Sequence, residues 1–401
     1  MMAPGATMSM PRGFEARRHG LLARTGILNV DLLLLAAAVG LIGFSVFTLA
    51  AATHDDIPGN PLYFVIRQAI YAIVGLVLMF SVMSVDYSRF RELRVGLYAM
   101  LIGSITLVLV LGGATRGSRR WIELPFFRFQ PSELGKVLLI AALAGFILDR
   151  VRRPDARRRT INLLLLGFTP ATIIFLQPDL GTGVVYAVIT LTILFLGGVR
   201  SSHFVAMAAA TVALVALLLV AAPAAGLPVL KGYQQTRLTA FLHPSDDPSD
   251  SGYQVNQALI AVGSGQKTGR GEEKATQTRL DFVPERHTDF IFAVIGERFG
   301  FVGAAFVLSL YALLTWRALR ILTLSKNLYG TLLAGGIAAM LMFQVFVNVG
   351  MSIGIMPVTG VPLPLMSYGG SSVLVTFIAI GILQSINAQA QLTSRSGASP
   401  F

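Results

Sequence analysis

The sequence predicts an all-α polytopic membrane protein of about ten transmembrane helices, with one large extracytoplasmic loop between the seventh and the eighth. Three observations carry that prediction. Hydrophobic residues make up 54% of the chain and charged residues only 13%, whereas charged residues approach about a quarter of a soluble domain. Mean hydropathy is +0.69. Apolar runs recur at roughly 20 residues, the length that crosses a hydrocarbon core of ~30 Å at ~1.5 Å per residue.

Taken in order, the apolar runs place helices near 31–53, 64–85, 96–113, 132–149, 160–176, 180–197, 203–226, 289–316, 329–350 and 370–390. The third, fifth and sixth are short but uncharged. Asp179 divides the fifth from the sixth, so a tight hairpin is expected there. A single span over 160–197 is too long for one ordinary crossing. The chain then divides into a basic tail (1–30), helices one to seven (31–226), the loop (227–288), helices eight to ten (289–390) and a second tail (391–401).

Direction follows from Lys and Arg, which accumulate in short cytoplasmic segments. With the N-terminus inside, the inner segments carry Arg12, Arg17, Arg18, Arg24, Arg89, Arg91, Arg94 and the arginine-rich stretch 150–159. The short outer connections carry only Arg116, Arg119, Arg120 and Arg128. Both termini are therefore expected in the cytoplasm. The tail has no apolar run before Leu32, so it does not read as a signal peptide. The net charge of +12 is explained by orientation. No basic patch with stacking aromatics points to nucleic acid. The absence of cysteine excludes disulfides, thiolate metal sites and cysteine nucleophiles.

The outer half holds charges that orientation does not explain. Glu133 and Lys136 lie three residues apart in the first turn of the fourth helix, hence on one face. Asp179 sits at the turn between the fifth and sixth. Arg116, Arg119, Arg120 and Trp121 precede the fourth. Asp289 opens the eighth helix, and Glu297 and Arg298 follow two turns deeper. Ionisable groups in membrane segments are costly to hold and mark functional sites, so this set reads as an outward-facing polar chamber between the fourth, fifth and eighth helices. Each member also has a plainer reading. Glu133–Lys136 is an ion pair at a helix end, Asp179 an N-cap, Arg116–Arg120 a solvated loop, and Trp121 an interfacial anchor. Asp289 is the hardest to explain structurally, because Thr288 is already available as the cap.

The loop over 227–288 is too long for a plain connector. It reads as short amphipathic helices lying on the membrane, joined by flexible glycine turns at Gly263, Gly265, Gly269 and Gly271. Asp246, Asp247 and Asp250 fit no calcium loop. Pro357, Pro362 and Pro364 with Gly360, Gly369 and Gly370 indicate a re-entrant or ordered outer loop, tolerated at depth only inside protein or lining a cavity. No Walker loop, zinc motif, nucleophile elbow or internal repeat is visible. The five histidines, His287 among them, are too far apart in sequence to suggest a metal cluster.

Several motifs in order resemble the SEDS family (shape, elongation, division, sporulation). They are Gly117-Ser118-Arg119-Arg120-Trp121-Ile122, Phe129-Gln130-Pro131-Ser132-Glu133-Leu134-Gly135-Lys136, Gln177-Pro178-Asp179-Leu180-Gly181-Thr182 and Pro284-Glu285-Arg286-His287-Thr288-Asp289-Phe290-Ile291-Phe292. Asn348-Val349-Gly350-Met351 and the stretch Pro357 to Ser372 complete the pattern, which spans about 30–390. The Pro-Val-Thr-Gly-Val-Pro-Leu-Pro and Gln-Pro-Asp-Leu-Gly-Thr forms look more like the RodA branch, of cell elongation, than the FtsW branch, of division.

The resemblance implies a peptidoglycan glycosyltransferase that polymerises lipid II outside the cytoplasmic membrane. Its implied partners are a class B penicillin-binding protein and other membrane proteins of the elongation complex. By motif, Asp289 matches the family's essential acidic residue, and Glu133, Lys136 and Asp179 match polar positions of its cavity. Arg119, Arg120, Trp121, His287 and Glu297 are further substrate-side candidates. Asp289 is read as general base on the acceptor 4-hydroxyl. One carboxylate suffices because a diphosphate leaves without full protonation. Arg119, Arg120 and Lys136 are candidates to meet the diphosphate charge. A divalent cation, Mg²⁺ or Mn²⁺, on Asp289, Glu133, Asp179 and Glu297 is the alternative. Two departures stand out. Glu297-Arg298 occupies a place where the family commonly has two acidic residues, and 271–276 is less glycine-rich than usual. A flippase for the same lipid and a non-catalytic scaffold are the competing readings.

Overall fold

The computed structural model describes residues 29–53, 57, 59–111, 120–124, 127–151, 156–177, 179–199 and 251–395. The N-terminal tail, the expected seventh helix at 203–226, Arg116, Arg119, Pro178, and Asp246, Asp247 and Asp250 lie outside the described residues.

The described elements are helices α1 (Leu32–Ala52), α2 (Tyr63–Met83), α3 (Arg89–Glu92) and α4 (Arg94–Leu111), then strands β1 (Ile122–Leu124) and β2 (Phe127–Phe129). Helices α5 (Pro131–Val151), α6 (Ala156–Leu176), α7 (Leu180–Leu196), α8 (Ser251–Ser264), α9 (Thr276–Arg279), α10 (Ile291–Leu324), α11 (Leu328–Ser352) and α12 (Gly370–Arg395) follow. Six of them, α1, α2, α5, α10, α11 and α12, are long and apolar enough to cross a membrane, and α4, α6 and α7 are shorter apolar helices. The antiparallel β1–β2 hairpin, with Glu123 opposite Arg128, was not anticipated from the apolar runs.

The caps explain the starts. Asp31 accepts from the Leu34 amide, Asp179 from Thr182 and Asn327 from Gly330, each satisfying a donor the helix cannot. Pro131 opens α5, where its missing N–H costs nothing. Helices α5 and α12 are the most buried spans and α2 among the least. Ile66, Ile70, Ile73 and Val77 form an exposed apolar stripe on α2 at the three-to-four residue spacing of one helix face. Such a stripe is lipid-facing in a membrane bundle. Glycines bring α2 and α12 together: a Cβ at Gly75 would lie 2.3 Å from the Phe377 ring, and one at Gly381 2.6 Å from the Met79 carbonyl. Close approach through small residues is how apolar helices associate without a hydrophobic drive.

At the end of the bundle opposite Asp289, Asp31 does more than cap α1. Arg317 of α10 donates from Nε to its carboxylate at 2.8 Å, and Gln384 of α12 brackets its backbone with bonds of 2.8 and 3.0 Å. This buried tie of α1, α10 and α12 was invisible in the sequence, where charges at that end were explained by orientation alone.

Three expectations need correction. Helix α10 runs to Leu324 rather than 316 and breaks at Gly300, where φ is +62° and ψ −158°. The loop 265–271 repairs the break. The Arg270 and Gly271 amides donate to the Glu297 and Arg298 carbonyls, while the Phe301 and Val302 amides donate to Gln266 and Lys267. The glycine turns there are clamped rather than loose, since a Cβ at Gly265 would sit 1.8 Å from the Gly296 carbonyl oxygen. Finally, the apolar face of α8 packs on protein: Val255, Ala258 and Ala261 form a small core with Phe290, Ala293 and Val358.

The residues between α11 and α12 form the ordered loop that the prolines and glycines predicted. Leu363, Leu365 and Met366 are fully buried. Ser45 of α1 donates to the Met366 carbonyl at 2.6 Å, Gln68 of α2 to that of Ser367 at 3.2 Å, and Tyr311 of α10 to that of Pro364. Irregular backbone at depth is held when surrounding helices supply its hydrogen bonds.

Candidate active site

The site is built on the first turn of α5. Lys136 Nζ lies 2.7 Å from both carboxylate oxygens of Glu133, and both residues are almost completely buried. Their i,i+3 spacing puts them on one face. Tyr186 of α7 seals that turn by donating to the Ser132 carbonyl at 2.8 Å. Gly135 admits it, since a Cβ there would fall 2.1 Å from the Tyr186 hydroxyl.

Asp179 stands at the head of α7. One carboxylate oxygen caps the helix through Thr182 at 3.1 Å, and Arg120 lies 3.8 Å from the same oxygen. The other is 3.5 Å from the Gln130 side-chain amide. Arg120 also donates to the Gln177 carbonyl. The N-cap reading of Asp179 and its placement beside Arg120 are both present in one geometry. Tyr186 lies within electrostatic range of Glu133 and Asp179 alike, so the structure gathers the three motifs ahead of α5, α7 and the β-hairpin around one centre. The chamber expected between the fourth, fifth and eighth helices thus takes the head of α7 as a wall.

Asp289 does not lie in the first turn of α10, as the sequence suggested. That helix starts at Ile291, capped by Phe290. Asp289 belongs to a turn in which the Thr288, Asp289 and Phe290 amides all converge on the Glu285 carbonyl. Thr288 is not the helix cap; its hydroxyl lies within bonding distance of the Glu285 carbonyl and carboxylate. The turn is pinned from the far side through three successive carbonyls. His287 accepts from the Tyr368 amide at 2.8 Å, Thr288 from the Ser367 hydroxyl, and Asp289 from the Asn348 side chain at 2.9 Å. Asn348 holds the Val361 carbonyl with the same group at 2.8 Å.

The buried 357–368 loop links Asp289 to Asp179. Gly360 has φ +72°, and a Cβ added to it would meet Asp289 Oδ2 at 3.5 Å. Its neighbour Thr359 presses on the head of α7, since a Cβ at Gly181 would be 2.5 Å from the Thr359 carbonyl oxygen. Glycine is required at both places, by backbone conformation at one and by close approach at the other. A carboxylate on a backbone pinned at three carbonyls, beside the Gly360 backbone and one residue along the loop from the α7 head contact, suits proton abstraction from a bound hydroxyl.

The remaining predicted residues are distributed around this core. His287 sits in an aromatic group, its ring tilted 4.9 Å from Phe64 and edge-on 5.9 Å from Tyr368. Burial, and next the Tyr71 phenol, push the Tyr368 hydroxyl up to about 12, so it stays a neutral donor at physiological pH. Trp121 is half-buried ahead of β1. Arg119 lies outside the described residues. Glu297 is fully buried away from this group. Its carboxylate accepts from the Gln277 and Thr278 amides at 2.8 Å each and from the Thr278 hydroxyl, so it anchors α9. The suggested cation ligands do not assemble: among the described residues no three His, Asp or Glu side chains converge as a metal site, and both Glu133 oxygens are held by Lys136.

Gln130, Asn348, Ser367 and Gly360 were not singled out as site residues from the sequence. Asn348 had a signal, a carboxamide deep in an apolar helix. Gln130 and Ser367 had none beyond lying in motifs.

Comparison with known proteins agrees with the motifs. A family profile described as cell cycle protein, covering FtsW, RodA and SpoVE, matches residues 28–392. The chain is 36% identical to stage V sporulation protein E of Bacillus subtilis over 90% of its length and 96% of that protein's. It is 36% identical to peptidoglycan glycosyltransferase MrdB of Escherichia coli K12 over 92% and 96%. It is 35% identical to a probable peptidoglycan glycosyltransferase FtsW of Idiomarina loihiensis over 91% and 88%, so the branches are equally near. Among solved structures, a peptidoglycan synthase complex described as coordinating polymerization and crosslinking aligns with TM-score 0.75 at 32% identity, covering 90% of this chain and 98% of that one. The rod shape determining protein RodA of Thermus thermophilus aligns with TM-score 0.65 at 30% identity, covering 89% and 96%. With its whole membrane region matched and its motifs assembled around one buried centre, the chain belongs to the FtsW/RodA/SpoVE family of cell cycle proteins, the SEDS peptidoglycan glycosyltransferases.

Proposed function

We propose that this protein polymerises lipid II into glycan strands at the outer face of the bacterial cytoplasmic membrane, during cell elongation, with Asp289 as the general base. The observation that carries the reading is the Asp289 turn. Its three carbonyls are tied to 348–368, and its carboxylate faces the Gly360 backbone next to the head of α7. The acceptor 4-hydroxyl gives its proton to Asp289 while its oxygen bonds the donor's anomeric carbon. The bond from that carbon to the diphosphate breaks, and undecaprenyl diphosphate leaves with the electron pair. Arg120 is the cation best placed to offset the phosphate charge, because its guanidinium already reaches Asp179 at 3.8 Å while keeping partial exposure. Lys136 is committed to Glu133 and supports the site through that pair. Electrostatic preorganisation of this kind is a major source of rate.

The inner position of both termini and the division of the chain into tails, helices one to seven, the loop and helices eight to ten remain parts of this proposal. So does a class B penicillin-binding protein as partner, in an assembly with other elongation-complex membrane proteins. The groove between α10 and α11 supports a docked membrane helix. It holds about 520 Å³ and is lined by apolar residues including Leu308, Trp316, Met342 and Phe346.

The test is purified protein with lipid II in detergent, read as glycan polymer. Polymer from the wild type and none from Asp289→Asn supports the reading. Lipid II transfer across liposomes without polymer would replace it with a flippase. The topology is tested by Thr268→Cys, an exposed position in a cysteine-free chain. Labelling by an impermeant thiol reagent in intact cells is expected, and labelling only after lysis would invert the orientation.

A further inference from the structure

A second polar pocket, with a volume of about 680 Å³, lies apart from the Asp289 centre. It is lined by Ala51, Ala52, Glu272, Glu273, Lys274, Thr278, Arg279, Arg286 and Arg298. None of Glu133, Lys136, Asp179 or Asp289 borders it. Arg298 is 5% exposed, and its Nε and Nη1 are buried without a hydrogen-bond partner. Unpaired buried guanidinium donors are costly, since charged groups that lose water need a partner. Two of the other cations are engaged: Arg279 donates to the Glu273 carbonyl at 3.3 Å, and Arg286 to the Ala52 carbonyl at 3.1 Å and to Asp281. Arg286 is taken up by Asp281, so Arg298, Arg279 and Lys274 are left facing Glu272 and Glu273 across this pocket. The open donors of Arg298 call for an anion.

The surroundings say which anion. Ala51 and Ala52 end the membrane helix α1, and the exposed Phe47 lies about one turn before them. Phe299, next to Arg298, packs its ring 5.7 Å from Phe47 and 5.2 Å from Phe44. Beyond the Gly300 break, Phe301 and Val302 are among the most exposed apolar residues of α10. An apolar strip on α1 and α10 therefore leads directly to a cationic pocket. Arginine donors beyond the end of a greasy surface suit a phosphate carrying acyl chains.

We infer that Arg298, with Arg279 and Lys274 at the rim, binds the headgroup phosphate of an anionic lipid whose chains lie along Phe47 and Phe301. The inference does not rest on the catalytic role of Asp289.

The test is native mass spectrometry of the full chain in detergent with dioleoyl-phosphatidylglycerol, dioleoyl-phosphatidylcholine or inorganic pyrophosphate. The wild type is expected to retain phosphatidylglycerol but not phosphatidylcholine. Arg298→Gln and Arg279→Gln should each weaken retention about tenfold, the loss of one charge-assisted hydrogen bond. Arg279→Gln, at an exposed position, guards against misfolding of the buried variant. Melting temperature gives a second reading: added phosphatidylglycerol should raise it in the wild type and not in Arg298→Gln. Equal retention of both lipids, or unchanged retention in both variants, overturns the site. Pyrophosphate binding without lipid retention would overturn the lipid assignment. Loss of a co-purified membrane protein with unchanged lipid retention would assign the pocket to an acidic protein surface instead.

Discussion

Asp289 and Lys136 illustrate two ways a buried charge is held. Asp289 is placed through its backbone: the Asn348, Ser367 and Tyr368 bonds to the carbonyls of 287–289 fix the turn that carries it. Asp289→Asn should then fold normally and lose polymerisation, measured on lipid II with melting temperature as control. Asp289→Glu should also be poor, because a base must sit within ~2.6–3.2 Å of its proton. Lys136 is placed by its partner. Lys136→Met strands the Glu133 carboxylate in a dry site, and breaking a buried pair costs roughly 3–5 kcal/mol. Glu133→Gln with Lys136→Met should recover most of that stability in a denaturation series, whereas additive losses would mean separate roles. Tyr368 gives a pH test. Its phenol ionises only near 12 in the fold but near 10 when unfolded, so between those values the unfolded chain loses the proton first. Stability should hold up to about pH 10 and fall as pH rises toward 12. Tyr368→Phe should flatten that decline in alkaline melts.

At the scale of elements, the helices were legible because hydropathy reports burial in lipid directly, and nine of the expected spans appear among the described residues within a few positions except for the end of α10. What stayed hidden depends on contacts between distant segments. The Gly300 break has no proline to announce it; it exists because loop 265–271 supplies the bonds that the helix drops. Gly300→Ala should therefore be strongly destabilising. Its φ of +62° is strained for alanine, and the new Cβ would fall 2.4 Å from the Gly269 amide nitrogen. Thermal unfolding would register it, and a wild-type melting temperature would show that the break is tolerant. The position of Asp289 was misjudged for a related reason. A carboxylate just ahead of an apolar run reads as a helix start, but the Glu285 carbonyl captures its amide into a preceding turn. Asn348, one turn after Gln344, is a carboxamide buried in an apolar helix, and such a group has to bind something. Asn348→Leu, which removes the donor to the Asp289 and Val361 carbonyls, should cost about 1–3 kcal/mol of stability and lower turnover more than lipid II affinity, as steady-state kinetics would reveal.

For the whole molecule, the contrast between buried and exposed helices sets what can dock. Helices α5 and α12 are mostly enclosed, while α2 and α10 keep broad apolar faces outward. Lipid can cover a convex face such as the α2 stripe without loss. The α10–α11 groove is concave, and a concave apolar surface between two helices is filled better by side chains from a third helix than by disordered acyl chains. Trp316 on α10 and Phe346 on α11 stay half-exposed along it, as anchors of a helix–helix contact would before the partner arrives. A single-span partner seated there would carry its external domain up beside α8 and the 265–271 loop, which are bound to the same α10 that bears Glu297 and Arg298. Photo-crosslinkers at Leu308, Met342 and Phe346 should therefore capture a class B penicillin-binding protein in membranes, and those at Ile66 and Ile73 on α2 should capture none. The opposite pattern would put the partner on the α2 face and leave the groove to lipid.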